Sequence, residues 1–178
     1  KTSADGFTTS LDAKYSIPVN TGSDKDWLVV SPMLGIAWSN YQQSGFTESG
    51  GGATELQVNP HTANSLIGTI GFELSTTPIS LGEKESSSSF TPKLAFTYNV
   101  DALANSSSTK EIKSSFVAAP GAGTMLTEGQ NGGANSFTIA AGGDLKMSEG
   151  TALYASVDYQ IEDNGSQLGY SGGLRFLF

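Results

Sequence analysis

What most restricts the fold of this chain is where its few charges sit. Seven segments, 6–18, 27–40, 65–75, 90–101, 136–147, 151–162 and 167–178, alternate apolar and polar residues. A period of two marks a β-strand whose two faces meet different surroundings. One face carries runs such as Leu34, Ile36 and Trp38, or Leu168, Tyr170, Leu174, Phe176 and Phe178. The charged residues of these segments all fall on the other face: Asp12, Lys14, Glu73, Lys93, Asp101, Asp144, Lys146, Asp158, Glu162 and Arg175. Helical periodicity is nearly absent, so an all-β, antiparallel chain is expected.

Two architectures would use such strands. A soluble sandwich turns the apolar face inward to a core. A transmembrane β-barrel turns it outward to lipid and wets the polar face. Alternation by itself leaves both open, and three further features favour the barrel. The segments are 11–14 residues long, whereas about 9–11 cross a bilayer at a tilt and about 5–6 is usual in soluble sheets. The polar face mixes both signs of charge with small residues. Aromatics sit near the stripe ends (Phe7, Trp38, Phe90, Tyr98, Phe137, Tyr159, Phe176, Phe178), where a girdle at the membrane boundary would lie. On this reading Leu34, Ile36, Ile70, Phe72, Leu94, Phe96, Ile139, Val157 and Leu174 face lipid. Asp12, Lys14, Glu73, Lys93, Asp101, Asp144, Lys146, Asp158 and Arg175 line a wet lumen. The pairs Asp12/Lys14 and Asp144/Lys146 are expected to join an internal ion-pair lattice.

Composition removes most other functions. The chain of 178 residues suffices for one domain. It has no cysteine and one histidine, His61, which excludes a disulfide framework and leaves no histidine set for a metal or a triad. His61, within NPHTAN, is expected in a solvated loop. Nine Lys and Arg against a net charge of -8 make a poor nucleic-acid binder. The glycine runs at 49–53 and 129–133 lack the strand, helix and lysine of a phosphate cradle. No enzyme activity and no cofactor are expected.

The connectors set a direction. Barrels of this kind place short turns in the periplasm and long loops outside. The stretches 19–26, 76–89 and 148–150 are therefore expected inside, and 41–65, 102–135 and 163–166 outside, with 102–135 forming an extracellular hairpin. Seven strands is an odd number, whereas single-chain bacterial barrels have even numbers. Closure is expected to need strands missing from the N-terminus, strands hidden in a loop, or another chain.

The stretches LVVSPMLGIAWSNYQQSGFTESGGGATELQVNPHTANSLIGTIGFELS and SSFVAAPGAGTMLTEGQNGGANSFTIAAGGDLKMSEGTALYASVDYQIEDNGSQLGYSGGLRFLF resemble the C-terminal translocator domain of type V secretion autotransporters. The ending Ser171-x-Gly173-x-x-Phe176-x-Phe178 is similar to the outer-membrane β-signal. The resemblance implies a bacterial outer-membrane barrel of twelve strands threaded by a helix, which helps export its own N-terminal passenger to the cell surface. Residues 1–178 would be its C-terminal part, the last seven or eight strands, with the first strands and the pore helix without counterpart. The implied partners are outer-membrane lipid, the barrel-assembly machinery and the passenger. No catalytic residue carries over. The alternatives are a small outer-membrane barrel that binds surface partners through its external loops, and a soluble β-sandwich binding module.

Overall fold

A computed structural model describes residues 2–19, 27–82, 88–104, 111–129, 133–148 and 150–176. Its strands are β1 (Ala4–Lys14), β2 (Ile17–Val19), β3 (Leu28–Gln43), β4 (Phe46–Thr47), β5 (Leu56–Val58), β6 (His61–Thr76), β7 (Ile79–Ser80), β8 (Ser89–Asp101), β9 (Glu111–Phe116), β10 (Met125–Glu128), β11 (Asn135–Ser148), β12 (Thr151–Glu162) and β13 (Gly165–Phe176). The seven long strands form one sheet in the order β1-β3-β6-β8-β11-β12-β13. Every neighbour is antiparallel. The path follows the chain without a crossover, and the sheet curls into a half-barrel.

Register carries the alternation across the whole sheet. Pro32, Phe72, Phe96, Ile139, Tyr159 and Leu168 stand opposite one another in a continuous apolar row. One residue along, Ser31, Glu73, Ala95, Ala140, Asp158 and Gly169 form a polar or small row on the other face. A slip of one residue in any ladder would mix the two sets.

The sheet has no dry centre. Among the described residues, Ala104 is the one buried hydrophobic. Leu34, Ile70 and Leu174 are 60%, 59% and 58% exposed. By contrast, the side chains of Lys93, Asp144 and Glu73 are 31%, 29% and 15% exposed. In the middle of the sheet the polar face is thus the more sheltered one, while Asp12 and Lys14 on β1 and Arg175 on β13 are exposed, the Lys14 side chain at 42%. Curling toward that face explains this: side chains converge on the concave side and splay on the convex side.

Pro32 and Pro92 each mark a break in a neighbouring strand. β1 ends at Lys14 opposite Met33, and β2 resumes at Ile17 opposite Val30, so the gap straddles Pro32. The β6–β8 ladder ends at Ser75 opposite Lys93, and β7 resumes opposite Phe90, so the second gap straddles Pro92. Proline has no N–H to donate, and the ladder yields on one side at each.

The stretches expected as polar loops are partly strand, which corrects the sequence reading. β3 runs on to Gln43 and β6 starts at His61, so His61 sits opposite Gln43 in a ladder and not in a loop. The Asn40 amide donates to Asn64 Oδ1 at 2.8 Å in this extension. Beyond it a second sheet forms in the order β10-β9-β5-β4, joining the two long excursions. Its β9–β10 hairpin turns at Pro120–Ala122. These strands are short, and their polar residues occupy both faces of the extension. A pattern search built on long amphipathic runs has nothing to detect there.

Candidate functional site

The sheltered polar face is the most organised chemical surface of the molecule. Lys14 Nζ meets Glu73 Oε1 at 3.1 Å, reaching across β3 from β1 to β6. Lys93 Nζ meets Asp144 Oδ2 at 2.6 Å between adjacent strands. The pairs expected from spacing, Asp12/Lys14 and Asp144/Lys146, are not the ones that form. Neither pair that forms joins direct register partners: Lys14 crosses β3 to reach Glu73, and Lys93, opposite Gly142, reaches diagonally to Asp144. The reach of the lysine side chains, rather than spacing along one strand, sets these pairs. Among the described residues, Asp12, Lys146, Asp158 and Arg175 make no ion pair. Between the charges runs a neutral ladder. The Thr69 hydroxyl donates to Asn99 Oδ1 at 2.7 Å, and the Asn99 amide donates to Ser136 Oγ at 3.2 Å. Asp101 stands at the rim, where Oδ1 accepts the Leu66 N–H at 3.0 Å and the Leu103 N–H at 2.9 Å.

The end strand β13 is locked to β12 by fit. Tyr154 lies opposite Gly173, and a Cβ on Gly173 would fall 2.7 Å from Tyr154 Oη. With the ring where it stands, a side chain at this position would force it to move. Arg175 completes the cluster with its guanidinium 5.9 Å from the Tyr154 ring centre, within cation–π range. The Ser156 and Ser171 hydroxyls are 2.8 Å apart. Ser171, Gly173 and Phe176 therefore lie on one edge strand, while Phe178 lies outside the described residues. At the far end of the same hairpin, Asp163 Oδ2 accepts the Ala134 and Asn135 N–H groups, each at 2.9 Å. These bonds, chiefly from Asn135 backbone and side chain, hold its carboxyl below the usual aspartate range against a smaller opposing effect of desolvation.

On the other face, the nine residues expected to meet lipid share one side of the sheet by register. Phe72 and Phe96 stack with ring centres 5.1 Å apart, and Phe96 lies 6.5 Å from Phe137. Phe7 and Trp38 meet edge to face at 6.1 Å. Residues 1–158 match the Autotransporter beta-domain family. This chain belongs to that family. Comparison with curated proteins gives no match.

An autotransporter β-domain is a translocator of type V secretion, and membership places this one in the bacterial outer membrane. The family is not a catalytic one. Among the described residues, no three His, Asp or Glu side chains converge to hold a metal ion. No helix of the described residues is long and apolar enough to cross a membrane. What this wall of the autotransporter β-domain offers is hydrogen bonding and fixed charge. Alternation pointed to the face of each charged residue but missed Tyr154 and Asp163. Asp163 had a signal, since Asp-Asn-Gly at 163–165 is turn chemistry. Tyr154 had none, because its role depends on what lies opposite it. The family match ends at Asp158, so β13 lies beyond it.

Proposed function

We propose that this β-domain helps carry its own N-terminal passenger to the cell surface, with residues 1–178 as the C-terminal part of the barrel. Asp12, Lys14, Glu73, Lys93, Asp144, Lys146, Asp158 and Arg175 supply a hydrated wall, with Asp101 at its rim. Leu34, Ile36, Ile70, Phe72, Leu94, Phe96, Ile139, Val157 and Leu174 contact outer-membrane lipid. The observation that supports this most is the contrast across the middle of the sheet, with Glu73, Lys93 and Asp144 partly sheltered on the polar face and Leu34, Ile70 and Phe72 exposed on the apolar one. In water that surface would be a large aggregation-prone patch. Against lipid tails it is satisfied.

Ser171, Gly173, Phe176 and Phe178 form the terminal signal in this reading. The barrel-assembly machinery takes the segment by strand addition, a mode suited to β13 because its outer edge is free among the described residues. In cells carrying the full precursor, Phe178→Ser should reduce the heat-modifiable folded barrel and the protease-accessible passenger together. Wild-type levels of both would overturn the signal reading.

A second reading has one observation of its own. The outer sheet β10-β9-β5-β4 leaves Leu126 59% exposed, a feature expected of a binding surface. Surface binding by a β-domain that carries no passenger would favour it.

A further inference from the structure

The two-residue turn that joins β12 to β13 carries a reactive dipeptide. Asp163 and Asn164 are its turn residues, and Gly165 closes the ladder opposite Glu162. Asp163, Asn164, Gly165 and Ser166 are all exposed. An asparagine amide lies within reach of the main-chain nitrogen of the next residue, and a glycine at that next position puts no Cβ in the way. The last pair of a ladder opens more readily than its middle, so the Gly165 nitrogen is reached without disturbing the rest of β13. We infer that Asn164 is a site of spontaneous deamidation through a cyclic imide formed with Gly165, and that the isoaspartyl product loosens the tie between Asp163 and the start of β11.

Gly165 N gives up its proton to solvent base and bonds to Asn164 Cγ. The Cγ–Nδ2 bond breaks, and the amide nitrogen leaves as ammonia. Water then opens the five-membered imide at one of its two carbonyls. Attack at Cγ restores the main chain and leaves aspartate. Attack at the main-chain carbonyl leaves isoaspartate, whose chain runs on through Cβ and Cγ. Nothing is oxidised or reduced, and water is the one co-reactant. The other described asparagines lack this arrangement. Asn40, Asn64 and Asn99 lie inside β3, β6 and β8, Asn135 opens β11, and hydrogen bonds hold all four side chains. Asn59 precedes Pro60, whose nitrogen has no hydrogen to lose. Asn131 also precedes a glycine but lies outside the described residues. The product acts on its neighbours in two ways. Isoaspartate inserts an extra main-chain atom into the turn directly after Asp163, whose carboxylate accepts the Ala134 and Asn135 N–H groups at 2.9 Å. Either product also places a new carboxylate beside those of Glu162 and Asp163, where like charges repel.

The test holds the folded full-length protein in mildly alkaline buffer and samples it over days. Peptide mapping by mass spectrometry should show Asn164 converting to aspartate and isoaspartate, with the isoaspartate confirmed by carboxyl methylation with an isoaspartyl methyltransferase. Gly165→Ala keeps Asn164 and tests the route. A Cβ at Gly165 meets no atom within 4 Å, and this glycine is not among those at positive φ, so the fold accepts alanine. Most of the conversion should be lost in that variant. Equal conversion in Gly165→Ala, or aspartate without isoaspartate, means direct hydrolysis by water and overturns the cyclic route. Conversion that occurs only after unfolding in urea means that the turn protects Asn164, and overturns the site. Converted and unconverted protein are then separated by charge, and amide exchange is measured at Ala134 and Asn135. Exchange should be faster in the converted protein, and equal exchange overturns the loosening. These readouts report on the turn alone, whichever face of the sheet meets lipid.

Discussion

At the residue scale, Asp163 and Gly173 each hold an end of the β12–β13 hairpin. The Asp163 carboxylate takes two backbone N–H groups and one amide from residues 134–135, tying the turn to the start of β11. Its folded pKa is lowered, so the stabilising effect is complete above the unfolded value and disappears as pH falls through the lower folded one. That window lies below about pH 4. Asp163→Asn should therefore lower the urea midpoint of the lipid-embedded protein at pH 7, and the gap from wild type should shrink at pH 3. A gap that stays constant would mean the charge is not what matters. Gly173→Val asks a different question, since it forces a branched side chain into the space of the Tyr154 ring. Overpacking of this kind costs about 1–3 kcal/mol. Adding Tyr154→Ala should recover part of the loss, and a silent Gly173→Val would show that the ring has somewhere else to go.

At the scale of elements, the strands readable in sequence are those whose two faces differ. All seven long strands do, and each was recognisable in sequence, although β3 and β6 run on past the expected segments to Gln43 and from His61, and segment 6–18 is divided between β1 and β2. β5 and β9 were not, because a three-residue pairing is too short to show a period. They zip the two excursions together by placing Leu56 opposite Phe116 and Val58 opposite Ser114. The Val117 N–H donates to Glu55 O and the Asn59 N–H to Lys113 O, each at 2.9 Å, fastening both ends of the pairing. Phe116 is half-buried, so Phe116→Ala should cost roughly half of the 3–5 kcal/mol typical of a fully buried phenylalanine. The loss should be local and appear as faster proteolysis at residues 118–124, with the long-strand sheet unaffected. Global unfolding instead would show that the outer sheet is part of one cooperative unit. The prolines belong to this scale too. Their residue type was visible in sequence, yet the gap each one opens lies in the neighbouring strand.

At the scale of the whole molecule, the question is which side of the sheet meets hydrocarbon. Leu94→Asp puts a carboxylate on the convex side near mid-strand. It should destabilise the folded protein in lipid vesicles by at most roughly 2–4 kcal/mol, the range for Lys or Arg at the midplane, which Asp and Glu do not reach. Thr97→Asp puts the same group on the concave side beside Gly71 and Thr138, and should be close to neutral in the same urea titration. The reverse order would mean the faces are exchanged. The sequence alone determined strand identity and the sorting of residues between faces, because both follow from the period-two geometry of a single extended chain. It also pointed to the family, through glycine and aromatic patterns spread along the chain. Only the tertiary structure decided which charges pair, what Gly173 makes room for, and that the sheet curls toward its polar face. Those outcomes depend on cross-strand register and curvature, which bring together residues as distant in sequence as Lys14 and Glu73, 59 positions apart, and no local pattern encodes such a distance.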